Sequence, residues 1–190
     1  MQLPDLRVYA LGLRGFLLSH YRDTFIDASD GYCVKDLPYT EGIFVDFGCK
    51  CLDDFNYSLK CALDNTCVIH DLCLKHKMRY TFASSYAVFA PKNTYGFIKA
   101  WQEKVVVSVP KHTILRIPAV YDRTRKAGLM AYLKTHEVYA DKVLDFCTLD
   151  CFHEQFEMLY NRSGIHTLRT NRRMLITEIK KEMCDEEAGL

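Results

Sequence analysis

Five of the nine cysteines fall between Phe44 and Cys73 (FVDFGCKCLDDFNYSLKCALDNTCVIHDLC), and a His-Asp pair sits between the last two. The end of this stretch, Cys67-x-x-His70-Asp71-x-Cys73, predicts the first turns of a helix. Val68, Ile69, Leu72 and Leu74 give it apolar faces, and no Pro or Gly interrupts it. His70 lies one turn from Cys67 and from Cys73 or Leu74, so it is expected on the same buried seam as the cysteines. Asp71 points about a quarter-turn away, since each helical residue rotates by roughly 100°. Adjacent residues do not face each other on a helix. His70 and Asp71 are therefore expected to serve two different partners rather than each other.

The spacing extends upstream. Phe44-x-x-Phe47-Gly48-Cys49-x-Cys51 leads into a loop, and Leu63-Asp64-Asn65-Thr66-Cys67-x-x-His70-Asp71-x-Cys73 follows. The arrangement of Cys49, Cys51, Cys67, His70, Asp71 and Cys73 resembles the secreted phospholipases A2. That resemblance implies a mainly α fold with a small β portion, built on a cysteine-stapled pair of antiparallel helices with an enlarged β insertion. It implies water-mediated hydrolysis of the sn-2 ester of a glycerophospholipid, either in an active enzyme or in a catalytically degenerate member. His70 would be the general base, and Asp150, in Cys147-x-x-Asp150, would orient its imidazole. Calcium would be held by the backbone carbonyls of Lys50, Leu52 and Asp54 and by the carboxylate of Asp71. The same resemblance implies a Cys51–Cys67 disulfide, and a bridge from Cys73 to Cys147 or Cys151. The chain departs from the pattern at Leu52-Asp53-Asp54, where the family has glycines, at Thr66 and Leu149 in place of cysteines, and at Leu74 in place of tyrosine.

A length of 190 residues with 49% hydrophobic and 26% charged residues suits one domain spanning 1–190 with a real core. Under the phospholipase resemblance the helical core would comprise about 40–78 and 124–161. Leu6 to Tyr21 reads as an amphipathic helix with Leu11, Phe16 and Leu17 inward, and Asp27–Gly31 as a turn. Asp30-Gly31-Tyr32-Cys33 is a turn with a structural cysteine rather than a protease nucleophile, because Pro38 follows where a helix would have to begin. Residues 79–122 read as a β-rich insertion: Tyr80–Phe89, Val105–Val109 and His112–Ile117 are rich in β-branched and aromatic residues, punctuated by Pro91, Pro110 and Pro118. Trp101, in a polar setting, is expected to pack into the core. Thr124–Asn161 reads as one long helix, since Leu129, Leu133, Val143, Cys147 and Asp150 or Cys151 recur at three- and four-residue steps. Asp150 would then lie on the apolar face and need a partner. A charged helix is expected over about 170–184.

A net charge of +1 points to no nucleic-acid surface. The partners expected are a phospholipid or membrane surface, or a protein in an assembly. Nine cysteines suggest a secreted or otherwise oxidising location, while Arg14 and Gly15 break the only candidate signal segment. Two other readings compete. One is an intracellular zinc module in which Zn²⁺ is held by ligands from the Cys49–His76 cluster, including Cys67, His70, Cys73 and His76. The other is a non-catalytic structural or assembly subunit, for which the many aromatics would form an interface.

Overall fold

The computed structural model describes residues 6–13, 15–30, 33–48, 55–122, 133 and 142–185. The chain forms two compact units, one of Met1–Arg116 with Glu157–Thr167, the other of Ile117–Phe156 with Leu168–Leu190.

The first unit is an α/β layer. Strands β1 (Arg7–Leu11), β2 (Ile26–Asp27), β5 (Gly42–Asp46), β6 (Arg79–Ser85), β7 (His112–Ile117) and β10 (Gly164–Thr167) make a six-stranded sheet in the order β10-β7-β6-β5-β1-β2. β1 is parallel to β2 and to β5, β5 to β6, and β7 to β10. A small antiparallel hairpin, β3 (Ser29–Asp30) with β4 (Cys33–Val34), stands apart. Helices α1 (Phe55–Lys75) and α2 (Thr94–Val106) are the crossovers β5-α1-β6 and β6-α2-β7 and pack on each other. This is a Rossmann-like arrangement, with parallel strands joined by helical crossovers.

The mainly α fold expected from the phospholipase resemblance is thus overturned. Leu6–Tyr21 is not an amphipathic helix. Val8, Tyr9, Ala10 and Leu11 are all buried in an inner strand, and only a three-residue 3₁₀ turn, Ser19–Tyr21, follows. A strand covered on both faces shows a continuous apolar run instead of alternation, so periodicity alone could not tell it from a helix. The β-branched run Val105–Val109 is not a strand. Val105 and Val106 end α2, and Val107–Val109 form its closing turns. The strands expected over Tyr80–Phe89 and His112–Ile117 do form, the first ending at Ser85.

The helix around His70 forms, and its faces differ from expectation. Ala62, Asn65, Thr66, Ile69 and Cys73 are buried, whereas Asp64, Cys67, Val68 and Asp71 are exposed. Cys67 and Cys73 therefore lie on different sides of α1 and share no seam. Thr66 is a polar tie between the helices: Gln102 Nε2 donates to its Oγ1 at 2.7 Å, and Thr66 donates to Ala62 O at 2.8 Å. The helix ends in a Schellman motif. Met78 N–H bonds Cys73 O at 2.9 Å, Lys77 N–H bonds Leu74 O at 3.5 Å, and Lys77 sits at φ +55°. Beneath it the core joins Tyr9, Leu11, Phe44, Ile69, Met78, Tyr80, Phe82 and Ile114.

The second unit has a three-stranded sheet in the order β11-β9-β8, from Arg172–Leu175, Val143–Thr148 and Ala119–Tyr121. Helices α3 (Leu149–Leu159) and α4 (Ile176–Asp185) follow β9 and β11 directly. The single helix expected over 124–161 is therefore broken at Val143–Thr148, which is a strand. Of the charged helix expected over about 170–184, the start is the strand β11. Arg172 grips Glu182 at 2.8 and 3.0 Å, and its guanidinium lies 4.1 Å over the Tyr121 ring.

Cys33, Cys61, Cys67, Cys73, Cys147 and Cys151 are all free thiols. The expected Cys51–Cys67 bridge and the bridge from Cys73 to Cys147 or Cys151 are not made. Alkylation in denaturant without reductant should label all six, which peptide mass mapping checks; protection of Cys67 or Cys73 would restore the stapled-helix reading. Lys77→Gly should raise stability by about 1 kcal/mol, because glycine occupies the left-handed region without the Cβ clash; urea unfolding would show it, and a loss of stability would refute the strain argument.

Candidate active site

In an open parallel sheet the natural crevice lies outside the carboxyl ends of the strands, where the order of connection reverses. Here the chain goes from β1 outward to β2, then resumes on the other side at β5 and proceeds through β6, β7 and β10. The reversal falls between β1 and β5, whose carboxyl ends are Leu11 and Asp46.

Gly12 leaves β1 at φ +89°, and a Cβ there would lie 2.9 Å from Phe47 O. A glycine is therefore required both by the backbone angle and by the approach of the next strand. Asp46 is the acid at the end of β5 and is only 3% exposed. Its Oδ1 accepts Gly48 N–H at 2.8 Å, and its Oδ2 accepts the Tyr80 hydroxyl at 2.9 Å. Burial raises its carboxyl above the usual range. The Lys99 charge and the two hydrogen bonds oppose that shift without cancelling it. The Tyr80 hydroxyl is pushed well above an ordinary phenol by burial and by the Asp46 charge, which keeps it a donor.

The second contribution comes from α2. Asn93 caps it, accepting Gly96 N–H at 3.0 Å. Gly96 is packed against Ala87 O and Pro91, where a Cβ would approach to 2.9 Å. This close seat places Tyr95, Lys99 and Glu103 at steps of four along one face. Lys99 is 3% exposed. Its ammonium donates to Ala83 O, in β6, at 2.7 Å, lies 4.4 Å over the Phe82 ring and is 6.0 Å from the Tyr95 ring centre. A buried ammonium carries three donors, and among the described residues this one meets a single oxygen acceptor.

One turn further on, Glu103 accepts the Ser84 hydroxyl at 2.5 Å and is gripped by Arg116, with Nε at 3.0 Å and Nη2 at 2.7 Å. That bond holds the Arg116 guanidinium charged. Ser85 ends β6 and accepts Ala87 N–H at 3.2 Å, so its own proton is left to donate. Tyr95, half-buried, lies at the mouth of this cluster.

The expected site residues lie elsewhere. His70 is on α1, with Nδ1 3.0 Å from Asp71 Oδ1 and Nε2 3.0 Å from Ser108 Oγ. The expectation that His70 and Asp71 would avoid each other is wrong: the two side chains lean together along the helix surface. Both imidazole nitrogens are engaged, neither with Asp150. Asp150 is exposed in the first turn of α3, where the helix dipole favours an acid, and not on an apolar face. Asp71 is 81% exposed. Lys50, Leu52 and Asp54 lie outside the described residues. Among the described residues no group of three or more His, Cys, Asp or Glu side chains is placed to hold a metal ion; the fold that the calcium site required is not formed, and Cys67 and Cys73 of the zinc reading lie on different sides of α1. Trp101, expected in the core, is 39% exposed.

Two signals stand on either side of α1 in the chain. One is an apolar run, Val8–Leu11, ending in Gly12-x-x-Gly15. The other is Ser84-Ser85 followed by Asn93-x-Tyr95-x-x-x-Lys99. The first reads as a strand running into a glycine turn. The second places a phenol and an amine one helical turn apart behind a strand end.

The connection from β1 to β2 is short of regular structure. Its described residues form turns and the 3₁₀ helix Ser19–Tyr21, with no α-helix to receive a diphosphate.

No family model matches the sequence, and no curated protein matches it. Solved structures do match in fold. The Helicobacter pylori ADP-L-glycero-D-manno-heptose-6-epimerase is 14% identical, with a TM-score of 0.66 over 96% of this chain and 84% of that one. A hypothetical dTDP-4-dehydrorhamnose reductase from Sulfolobus tokodaii is 13% identical, with a TM-score of 0.64 over 95% and 82%. The Bordetella bronchiseptica enzyme WbmF, in complex with NAD⁺, is 10% identical, with a TM-score of 0.64 over 97% and 79%. At these identities the likeness establishes the fold: a Rossmann-type sheet, and not a phospholipase.

The raised Asp46 carboxyl makes stability depend on pH. The folded protein holds a proton that the unfolded chain releases, so this contribution is present below the usual carboxylate range and is lost as pH rises through the folded value. Asp46→Asn keeps the Gly48 bond through Oδ1, reverses the Tyr80 bond so that Nδ2 donates to the phenol oxygen, and should flatten that decline; urea unfolding from acid to neutral pH tests it, and an unchanged slope in the variant would remove Asp46 as the cause.

Proposed function

We propose that this protein is a reductase- or epimerase-type enzyme that interconverts a carbonyl and a hydroxyl carbon, with Tyr95 as the group that gives or takes the proton on oxygen. The observation that carries the reading is Lys99, buried and with one acceptor among the described residues, one helical turn from a half-exposed tyrosine at the sheet's carboxyl edge. A positive charge fixed in a dry site stabilises an oxyanion formed beside it without reorganising. A phenol at the mouth is the proton carrier, a role worth about 10²–10⁴ in rate. Ser85 supplies a second donor to the same oxygen. Ser84, Glu103 and Arg116 lock α2 against β6 and β7, which holds the spacing between Tyr95 and Lys99.

A bound nicotinamide nucleotide would supply or accept the hydride. Support for that cofactor comes from the NAD⁺ complex of one structural neighbour. Two other neighbours have names that include nucleotide-linked sugars, and this substrate class is the first to try.

Purified protein supplied with NADH or NADPH and a panel of nucleotide-linked keto-sugars should consume the reduced cofactor. Tyr95→Phe and Lys99→Met should each lower kcat by about a hundredfold or more while the circular dichroism stays unchanged. A Tyr95→Phe variant with the parent rate would refute the assignment.

A further inference from the structure

A dinucleotide site is built from two halves, one for each nucleotide, meeting at the point where the strand order reverses. In this chain the halves are unequal. On the β5 side, β5, β6, β7 and β10 are joined in part by two full crossover helices and carry the polar cluster of Asp46, Ser84, Ser85, Tyr95 and Lys99. On the β1 side the described residues offer β1, a two-residue β2 at the sheet edge and the separate β3–β4 hairpin, with no α-helix between β1 and β2.

Part of the connection after β1 is tied to the protein itself. Gly12 N–H points to Ser29 Oγ at 3.4 Å. Gly15 N–H bonds Gly12 O, Ser19 N–H bonds Gly15 O and Tyr21 N–H bonds Leu18 O. The connection has two glycines where the dinucleotide fingerprint has three. Leu18, fully buried, fills the turn. The acid at the end of β2, Asp27, which could meet a ribose hydroxyl, accepts Ser29 N–H at 3.0 Å.

We infer that the site recognises its cofactor through the nicotinamide mononucleotide half, and that the adenylate half contributes little to binding. This rests on the reductase or epimerase reading above. A dinucleotide enters the same crevice with its adenylate end in solvent, and reduced nicotinamide mononucleotide serves in its place. Affinity is correspondingly modest, because one half of the usual contact area is lacking.

Isothermal titration of the intact protein with NADH, with reduced nicotinamide mononucleotide and with AMP tests this directly. The expected result is that the first two bind with Kd values within about threefold of each other, and that AMP at high concentration displaces neither. NADH binding about a hundredfold tighter than the mononucleotide, with AMP competing, would overturn the inference and leave the reductase or epimerase reading standing. Failure of both nicotinamide compounds to bind would overturn the inference together with that reading.

Discussion

The pairing of β1 with β5 is the constraint on which the first unit depends. These strands meet in register from Arg7 opposite Gly42 to Leu11 opposite Asp46, and both are buried along nearly their whole length. A side chain at Gly42 would run into the Arg7 carbonyl, so glycine is what lets the strands close at that end. At the other end the same pairing brings Gly12 against Phe47 and sets Asp46 at the point where the strand order reverses. Sheet register, crevice and the buried acid all follow from one ladder of parallel hydrogen bonds.

The second theme is a charge kept where it is costly. An isolated buried ammonium costs several kcal/mol in desolvation. Lys99 is tolerated through Ala83 O, the Phe82 ring and the more distant Asp46. Arg116 and Glu103 close a second polar pair one turn along, stacked over Phe89 at 4.9 Å. A core built for stability alone would replace such groups with apolar ones at little loss. Lys99 and Glu103 stand four residues apart on α2, and Arg116 reaches Glu103 from β7 at the carboxyl edge of the sheet.

Some of this was legible beforehand. The helix around His70 and the strands near Tyr80 and His112 could be read locally; the turn at Gly12 was hidden in a segment read as a helix, and Asp27 and Ser29–Asp30, read as a turn, are strand residues. The misreading came from Cys67-x-x-His70-Asp71-x-Cys73. Steps of three and four are what any helix shows, so the four matching positions from Cys67 to Cys73 described a helix and not a site; Cys49 and Cys51 lie outside the described residues. Free thiols on different faces of α1 cannot staple anything. The inner strand β1 was mistaken for a helix because a strand covered on both sides has no polar alternation to betray it. Val105–Val109 was mistaken for a strand because β-branched residues are only weakly averse to helices when packing favours one.

By itself the amino-acid sequence determined local elements: the helix around His70 and the strands that begin near Tyr80 and His112. Those depend on interactions within a few residues. Only the tertiary structure decided that Val8–Leu11 lies between two parallel strands, that Asp46 shares its surroundings with Lys99 some fifty residues away, and that His70 stands outside the crevice. Those facts depend on which strand pairs with which, a choice made by long-range burial and hydrogen bonding that local residue patterns do not encode.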